Sequence, residues 1–292
     1  MSQKVPKMKP HFVFSQTIDG FHSLRKSSLK QYKHLSKLKL IKFSEEMNQN
    51  QKLLLSNKLL PLRKNIKNLD LSRYYALESY TLSQIKSLAK RFNRITRLSL
   101  IGGGDEDSEK SLFLAKTMLK KAKNLKSLYL EDVLQASSSQ SQQFLQRMIP
   151  QSKLKTLNLI PKDSSKYEPK WLLNFSNYCP PSIEELFLYW KERIDGPRLK
   201  FSRKKHLDNL QKLELRIPIA LNTFTKVIIE AIQDPSKLKS LQLQLEKSKK
   251  NESFSPEVLS FLENCVNLEE LSLRTDIDVY PNSSMAKLKI EH

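Results

Sequence analysis

Aliphatic residues recur along the chain in one fixed figure: a first residue, a second three positions on, and a third two positions after that. The figure is spelled Leu35-Leu38-Leu40, Ile66-Leu69-Leu71, Ile95-Leu98-Leu100, Leu125-Leu128-Leu130 and Leu154-Leu157-Leu159. It continues as Ile183-Leu186-Leu188, Leu210-Leu213-Leu215, Leu238-Leu241-Leu243 and Leu268-Leu271-Leu273. Successive first positions lie 31, 29, 30, 29, 29, 27, 28 and 30 residues apart. One such triplet says little, but nine in register mark a chain built of repeated supersecondary units.

The end of each figure alternates apolar and polar, the period of a short strand. Between figures the period changes. Ile85, Leu88, Ala89 and Phe92 stand at i, i+3, i+4 and i+7, and so do Val258, Phe261, Leu262 and Cys265. That spacing gathers four residues on one face of a helix. Leu221, Phe224, Ile228 and Ala231 form a third stripe. Ser255-Pro256-Glu257 reads as a helix start, with a serine cap, a proline in the first turn and an early acid. Ser137 to Gln143 reads as a loop and a helix start before the apolar Phe144, Leu145 and Met148. Each unit is therefore strand, loop, helix, loop. A single unit cannot bury its own apolar face, so the units must stack.

The run Cys265-Val266-Asn267-Leu268-Glu269-Glu270-Leu271-Ser272-Leu273 resembles the leucine-rich-repeat consensus of the ribonuclease-inhibitor-like and F-box-associated, cysteine-containing types. Asn124-Leu125-Lys126-Ser127-Leu128-Tyr129-Leu130 is similar. The resemblance covers residues 35–273. It implies an α/β solenoid, a horseshoe of about nine strand-loop-helix repeats, with parallel strands on the concave face and helices outside. The family usually places Asn or Cys eight residues after the first leucine, where it ties the loop backbone. Here those places hold Phe43, Tyr74, Gly103, Val133, Lys162, Lys191, Pro218, Glu246 and Asp276. The loops after the strands are therefore expected to be irregular. Residues 1–34 carry no figure and read as a basic N-terminal cap. The repeat domain is expected over 35–292, with Met285-Leu288-Ile290 as a cap strand near 285–292.

Charge adds a second pattern. The chain carries a net +21, and residues 1–65 hold 14 Lys and Arg against Asp19, Glu45 and Glu46 alone. Basic clusters fall at Lys26, Lys30, Lys33, Lys37, Lys39 and Lys42, and again at Arg198, Lys200, Arg203, Lys204 and Lys205. A smaller group is Lys247, Lys249 and Lys250. Such clusters suit an acidic partner, whether nucleic acid, an acidic protein tail or anionic lipid, and an unoccupied lysine surface would look the same.

No catalytic constellation stands out. The five histidines lack metal-ligand neighbours at useful spacing. The two cysteines, Cys179 and Cys265, each precede a strand figure and read as small buried thiols. Gly102-Gly103-Gly104 follows a strand, but Asp105, Glu106 and Asp107 come next and would repel phosphate, so it reads as a flexible loop. Neither enzyme activity nor a cofactor nor a metal is expected. No apolar run approaches the roughly 20 residues of a membrane helix. An intracellular setting, cytoplasmic or cytoskeletal, is expected. Nuclear and mitochondrial settings stay open, the latter because residues 1–18 contain no acid.

Strand alternation turns the third, fifth and seventh residues of each figure away from the leucines. In those places Lys37, Lys39, Arg97, Lys212, Arg216 and Arg274 face Asp70, Glu131, Glu185, Glu214 and Glu270. The wall is nearly neutral in a strongly basic chain, which argues against a nucleic-acid groove along its whole length. Its apolar members are Tyr129, Ile160, Phe187 and Tyr189, with Trp190 and Ile217 at the strand ends. Clustered aromatics of this kind anchor protein partners. The expected function is a non-enzymatic protein-protein interaction or scaffold subunit within a larger assembly. One alternative is an RNA-, DNA- or acidic-tail-binding module that uses the basic N-terminal end. Another is a ubiquitin-ligase substrate receptor, although residues 1–34 lack the Leu-Pro opening of an F-box.

Overall fold

The computed structural model describes residues 37–41, 66–73, 77, 80–103, 105–135, 138–161, 179–189, 207–220, 229, 231–246, 256–275 and 289–291. The second and third residues of all nine aliphatic figures lie in strands of one sheet, and Leu35 lies outside the described residues. The strands are β1 (Lys37–Ile41), β2 (Asn68–Arg73), β3 (Arg97–Ile101), β4 (Ser127–Glu131) and β5 (Thr156–Ile160). They continue as β6 (Glu185–Tyr189), β7 (Lys212–Ala220), β8 (Ser240–Glu246) and β9 (Glu270–Thr275). A tenth short strand, β10 (Lys289–Glu291), pairs with β9. The ten strands stand in sequence order. Every neighbouring pair is parallel.

Register lays like upon like. Leu98 pairs with Leu69 and Leu128, Leu157 with Leu128 and Leu186, and Leu213 with Leu186 and Leu241. A slip of one residue would turn the leucines to the open face, so burial itself enforces this register. The burial pattern of β4, β5 and β6 alternates as the period requires, with both leucines of each strand buried and the other three residues partly covered.

Helices cover the leucine face. α1 (Leu82–Arg91) opens on a reciprocal capping box between Thr81 and Gln84. α2 (Asp105–Lys121) packs against both α1 and β3. α3 (Ser139–Gln143) is capped by Ser138 and runs directly into a π-helical turn over Phe144–Met148. α4 (Pro256–Asn264) begins at the expected proline and packs on a 3-10 turn, Pro235–Lys237. Ile85, Ala89 and Phe92 of the first stripe are buried, as are Val258, Phe261 and Cys265 of the second. In the third stripe Ala231 is buried in a turn, while Leu221, Phe224 and Ile228 lie outside the described residues. One continuous apolar cluster joins strands and helices from Ile66 to Cys265.

The first aliphatic residue of a figure has its own task. It closes a tight turn just ahead of the strand, its N–H donating to the carbonyl three residues back. Ile95 does so to Phe92, Leu125 to Ala122, Ile183 to Pro180 and Leu268 to Cys265. One residue later comes a rung between repeats. The carbonyl of Lys126 accepts the N–H groups of both Lys155 and Thr156, at 2.7 and 3.0 Å. The same double acceptance recurs at Lys67, Thr96, Lys155, Glu184, Gln211 and Lys239.

Gly102 and Gly103 do not form the flexible loop expected of them. Gly102 is buried, and its N–H donates to the Glu131 carbonyl at 2.8 Å. A Cβ there would sit 2.3 Å from the Asp132 carbonyl oxygen. The N–H of Gly103 donates to the Asp107 carboxylate at 2.8 Å. The acids that would repel phosphate instead occupy the first turn of α2, where the helix dipole favours them. The loop after β4 is irregular, as the missing Asn or Cys implies. Asp132 adopts a positive φ of 54°. Val133, in the place of the tying residue, is buried.

Candidate functional site

The open face of the sheet carries three columns of side chains. In the central column Tyr129 of β4, Asn158 of β5, Phe187 of β6 and Glu214 of β7 are consecutive register partners. Tyr129 and Phe187 are thus two strands apart, on the order of 10 Å. In the next column Ile160 stands beside Glu131, and Tyr189 beside Arg216. Tyr129, Ile160, Phe187 and Tyr189 are all half-buried, on three adjoining strands. The sheet therefore brings together four of the six expected anchor residues. Ile217 lies in β7 with its side chain outside the described residues, and Trp190 lies outside them altogether.

Charged groups around these rings are engaged with one another. The Tyr129 hydroxyl donates to the Glu131 carboxylate. Burial pushes the Tyr129 phenol well above its ordinary range, and the hydrogen bond to Glu131 and the charges of Glu131, Asp132 and Asp70 push the same way. The phenol stays a neutral donor throughout the physiological range. Lys212 holds its ammonium 5.5 Å from the centre of the Phe187 ring, inside the reach of a cation-π contact. The same ammonium lies 3.9 Å from Glu270. Glu270 also accepts from Ser240 at 2.7 Å and from Gln242 at 2.8 Å. Arg216 pairs with Glu214 at 2.7 Å, and Thr156 donates to Glu185 at 3.1 Å.

Tyr129, Ile160, Phe187 and Tyr189 flank Asn158 in an island bordered by polar groups engaged with one another. Such a surface buries well against a partner, because little charge needs new compensation when water leaves. It offers no nucleophile with an adjacent base. Among the described residues no group of three or more His, Cys, Asp or Glu is placed to hold a metal ion. No helix of the described residues is long and apolar enough to cross a membrane.

The basic clusters expected at the N-terminal end and near Arg198 fall largely outside the described residues. Lys37 and Lys39 lie in β1, with only their backbone described. Lys26, Lys30, Lys33, Lys42, Arg198, Lys200, Arg203, Lys204 and Lys205 lie outside the described residues. Sequence reasoning missed a shallow groove of about 530 Å³ on the helical side, between the 3-10 turn and α4, with Ile232, Pro235 and Phe261 in its lining. It also missed the engagement of Lys212 with Phe187, which the β6–β7 register creates and no local motif announces.

No family model and no curated protein matches the chain. Among solved structures it is similar to a chain in the crystal structure of the Rad7 and Elc1 complex in yeast, at 19% identity and a TM-score of 0.42. That match covers 88% of this chain and 65% of the other.

Proposed function

We propose that this leucine-rich-repeat-like solenoid is a non-enzymatic binding subunit that holds a protein partner on the open face of its sheet. The observation that carries this reading is the island of Tyr129, Ile160, Phe187 and Tyr189, half-buried on three adjoining strands and bordered by paired charges. A large apolar side chain left partly in water forfeits burial worth roughly 1.5–3 kcal/mol at most. A partner that covers the island recovers part of that. The buried Cys265 at the end of α4 supports assigning the repeats to the cysteine-containing, ribonuclease-inhibitor-like class.

The test replaces Phe187 and Tyr189 together by Ala in the full-length chain. Partner recovery from the source cell should be abolished, while the melting temperature stays nearly unchanged. A partner retained by the double variant would reject the site. Loss of both partner and thermal stability would show that the rings belong to the core.

A further inference from the structure

Three segments join a helix end to the next strand: residues 90–97, 120–127 and 147–156. They contain four, four and three lysines and arginines, and no acid. All of these cations except Arg91 are exposed. Because every strand of the sheet runs parallel, all three segments come to the same rim of the sheet. The opposite rim, where strands end and α2 begins, gathers Glu106, Asp107, Glu109, Glu131 and Asp132. The charges of these repeats are sorted, not scattered.

Helix dipoles explain only part of the sorting. Each helix end carries about half an elementary charge, so the three ends at the basic rim ask for roughly 1.5 positive charges. Eleven are present. Lys155 pairs with Glu184 of the next repeat. The carbonyl of Lys126 is used in the rung between repeats, but among the described residues nothing pairs with its ammonium, nor with those of Lys123 and Lys153.

We infer that this rim binds the phosphate backbone of a duplex nucleic acid. The densities of charge match. A duplex presents one charge per about 1.7 Å of axis, so the nine phosphates that the exposed cations other than the paired Lys155 could meet occupy on the order of 15 Å. The three segments span two repeat steps, roughly 10 Å along the sheet edge at about 4.8 Å per strand and roughly 20 Å along the helices at 8–10 Å per helix. A membrane surface fits less well, since the exposed large apolar residues among those described, Leu82 and Val266, lie outside the three segments. The rim also shows no exposed aromatic on which a base could stack: Phe92 is buried. Contact is therefore with phosphate, without sequence preference. This surface is separate from the aromatic island, so the two readings stand or fall independently.

The experiment measures binding of the full-length chain to a 20-base-pair duplex of arbitrary sequence, between 50 and 200 mM salt. The variant Lys123→Gln/Lys126→Gln/Lys153→Gln is compared with Lys37→Gln/Lys39→Gln/Lys42→Gln, and both are checked for an unchanged melting temperature. The rim variant should weaken binding and reduce the slope of log Kobs against log salt by about 2.7, some 0.9 for each lost phosphate contact. An unchanged slope in the rim variant, or a larger loss in the N-terminal variant, would overturn the assignment. So would binding to polyglutamate or to anionic vesicles in the absence of duplex binding.

Discussion

The hydroxyl of Ser108 donates to the main-chain carbonyl of Asp132 at 2.8 Å, reaching from α2 into the loop after β4. The leucine-rich-repeat consensus that the sequence resembles ties that loop with an Asn or Cys within the same repeat. Here Val133 fills that place with an apolar side chain, and the preceding repeat supplies the tie. Ser108→Ala should cost about 0.5–1.5 kcal/mol, the net worth of a typical intramolecular hydrogen bond. Chemical denaturation of the two proteins side by side checks it. A loss below a few tenths would mean that water replaces the hydroxyl without cost.

The same loop constrains Gly102. A methyl group there would meet the Asp132 carbonyl oxygen at 2.3 Å and the Ser108 hydroxyl at 2.6 Å. The backbone cannot swing aside as a flexible side chain does, so Gly102→Ala should destabilise by roughly 1–3 kcal/mol or more. Unfolding of Gly102→Ala/Ser108→Ala would show how much of that strain the hydroxyl contributes. A Gly102→Ala protein as stable as the parent would refute the close approach.

Leu157 occupies the middle of the sheet, 2% exposed, with Leu128 and Leu186 as register partners. Neighbours on both sides keep the space from collapsing. Leu157→Ala should therefore cost about 2–5 kcal/mol. Val266, exposed on a turn, is the matched control: Val266→Ala should change stability by less than about 0.5 kcal/mol. Equal losses at the two positions would contradict the core described here.

Both cysteines are buried, and burial pushes the Cys265 thiol up to about 11. The native protein should show no thiol reactive toward a disulfide reagent at pH 8, and two after denaturation. The sign of the linkage follows from proton counting. Between the ordinary thiol value and about 11, the unfolded chain has lost the Cys265 proton and the native chain keeps it, so stability falls as pH rises through that window. Cys265→Ala should flatten this fall. A flat profile in the parent protein would sink the assignment.

Tyr129 obeys the same sign, since its phenol is also raised. Absorbance titrations of the native parent and of Tyr129→Phe should coincide up to pH 11. In denaturant they should differ by one ionising tyrosine. A difference already present in the native proteins at pH 10 would mean that the phenol is open to water.

Much of the architecture was legible because it is periodic. The leucines of each figure fix strand, face and register at once, and Ile85, Ala89 and Phe92 announce α1 by spacing alone. The wall residues Tyr129 and Phe187 follow from the same alternation. What stayed hidden depends on contacts between repeats. Gly102 looked like loop because nothing local shows the Asp132 carbonyl pressed against it. The tie from Ser108 spans 24 residues and has no motif. The basic rim largely escaped the strand columns, because all its cations but Arg97 sit in the helix ends and turns before the strands and gather only when all repeats run the same way.

The doubly accepting carbonyls, from Lys67 to Lys239, are spelled by lysine, threonine, glutamate and glutamine alike. The joint between neighbours is main chain to main chain, so any residue that keeps its N–H can stand there and proline alone is shut out. Drift can rewrite those positions without loosening the stack. A duplicated or deleted period would meet the same joint on either side, and lineages carrying this array are free to differ in copy number while each copy keeps its lock on the next.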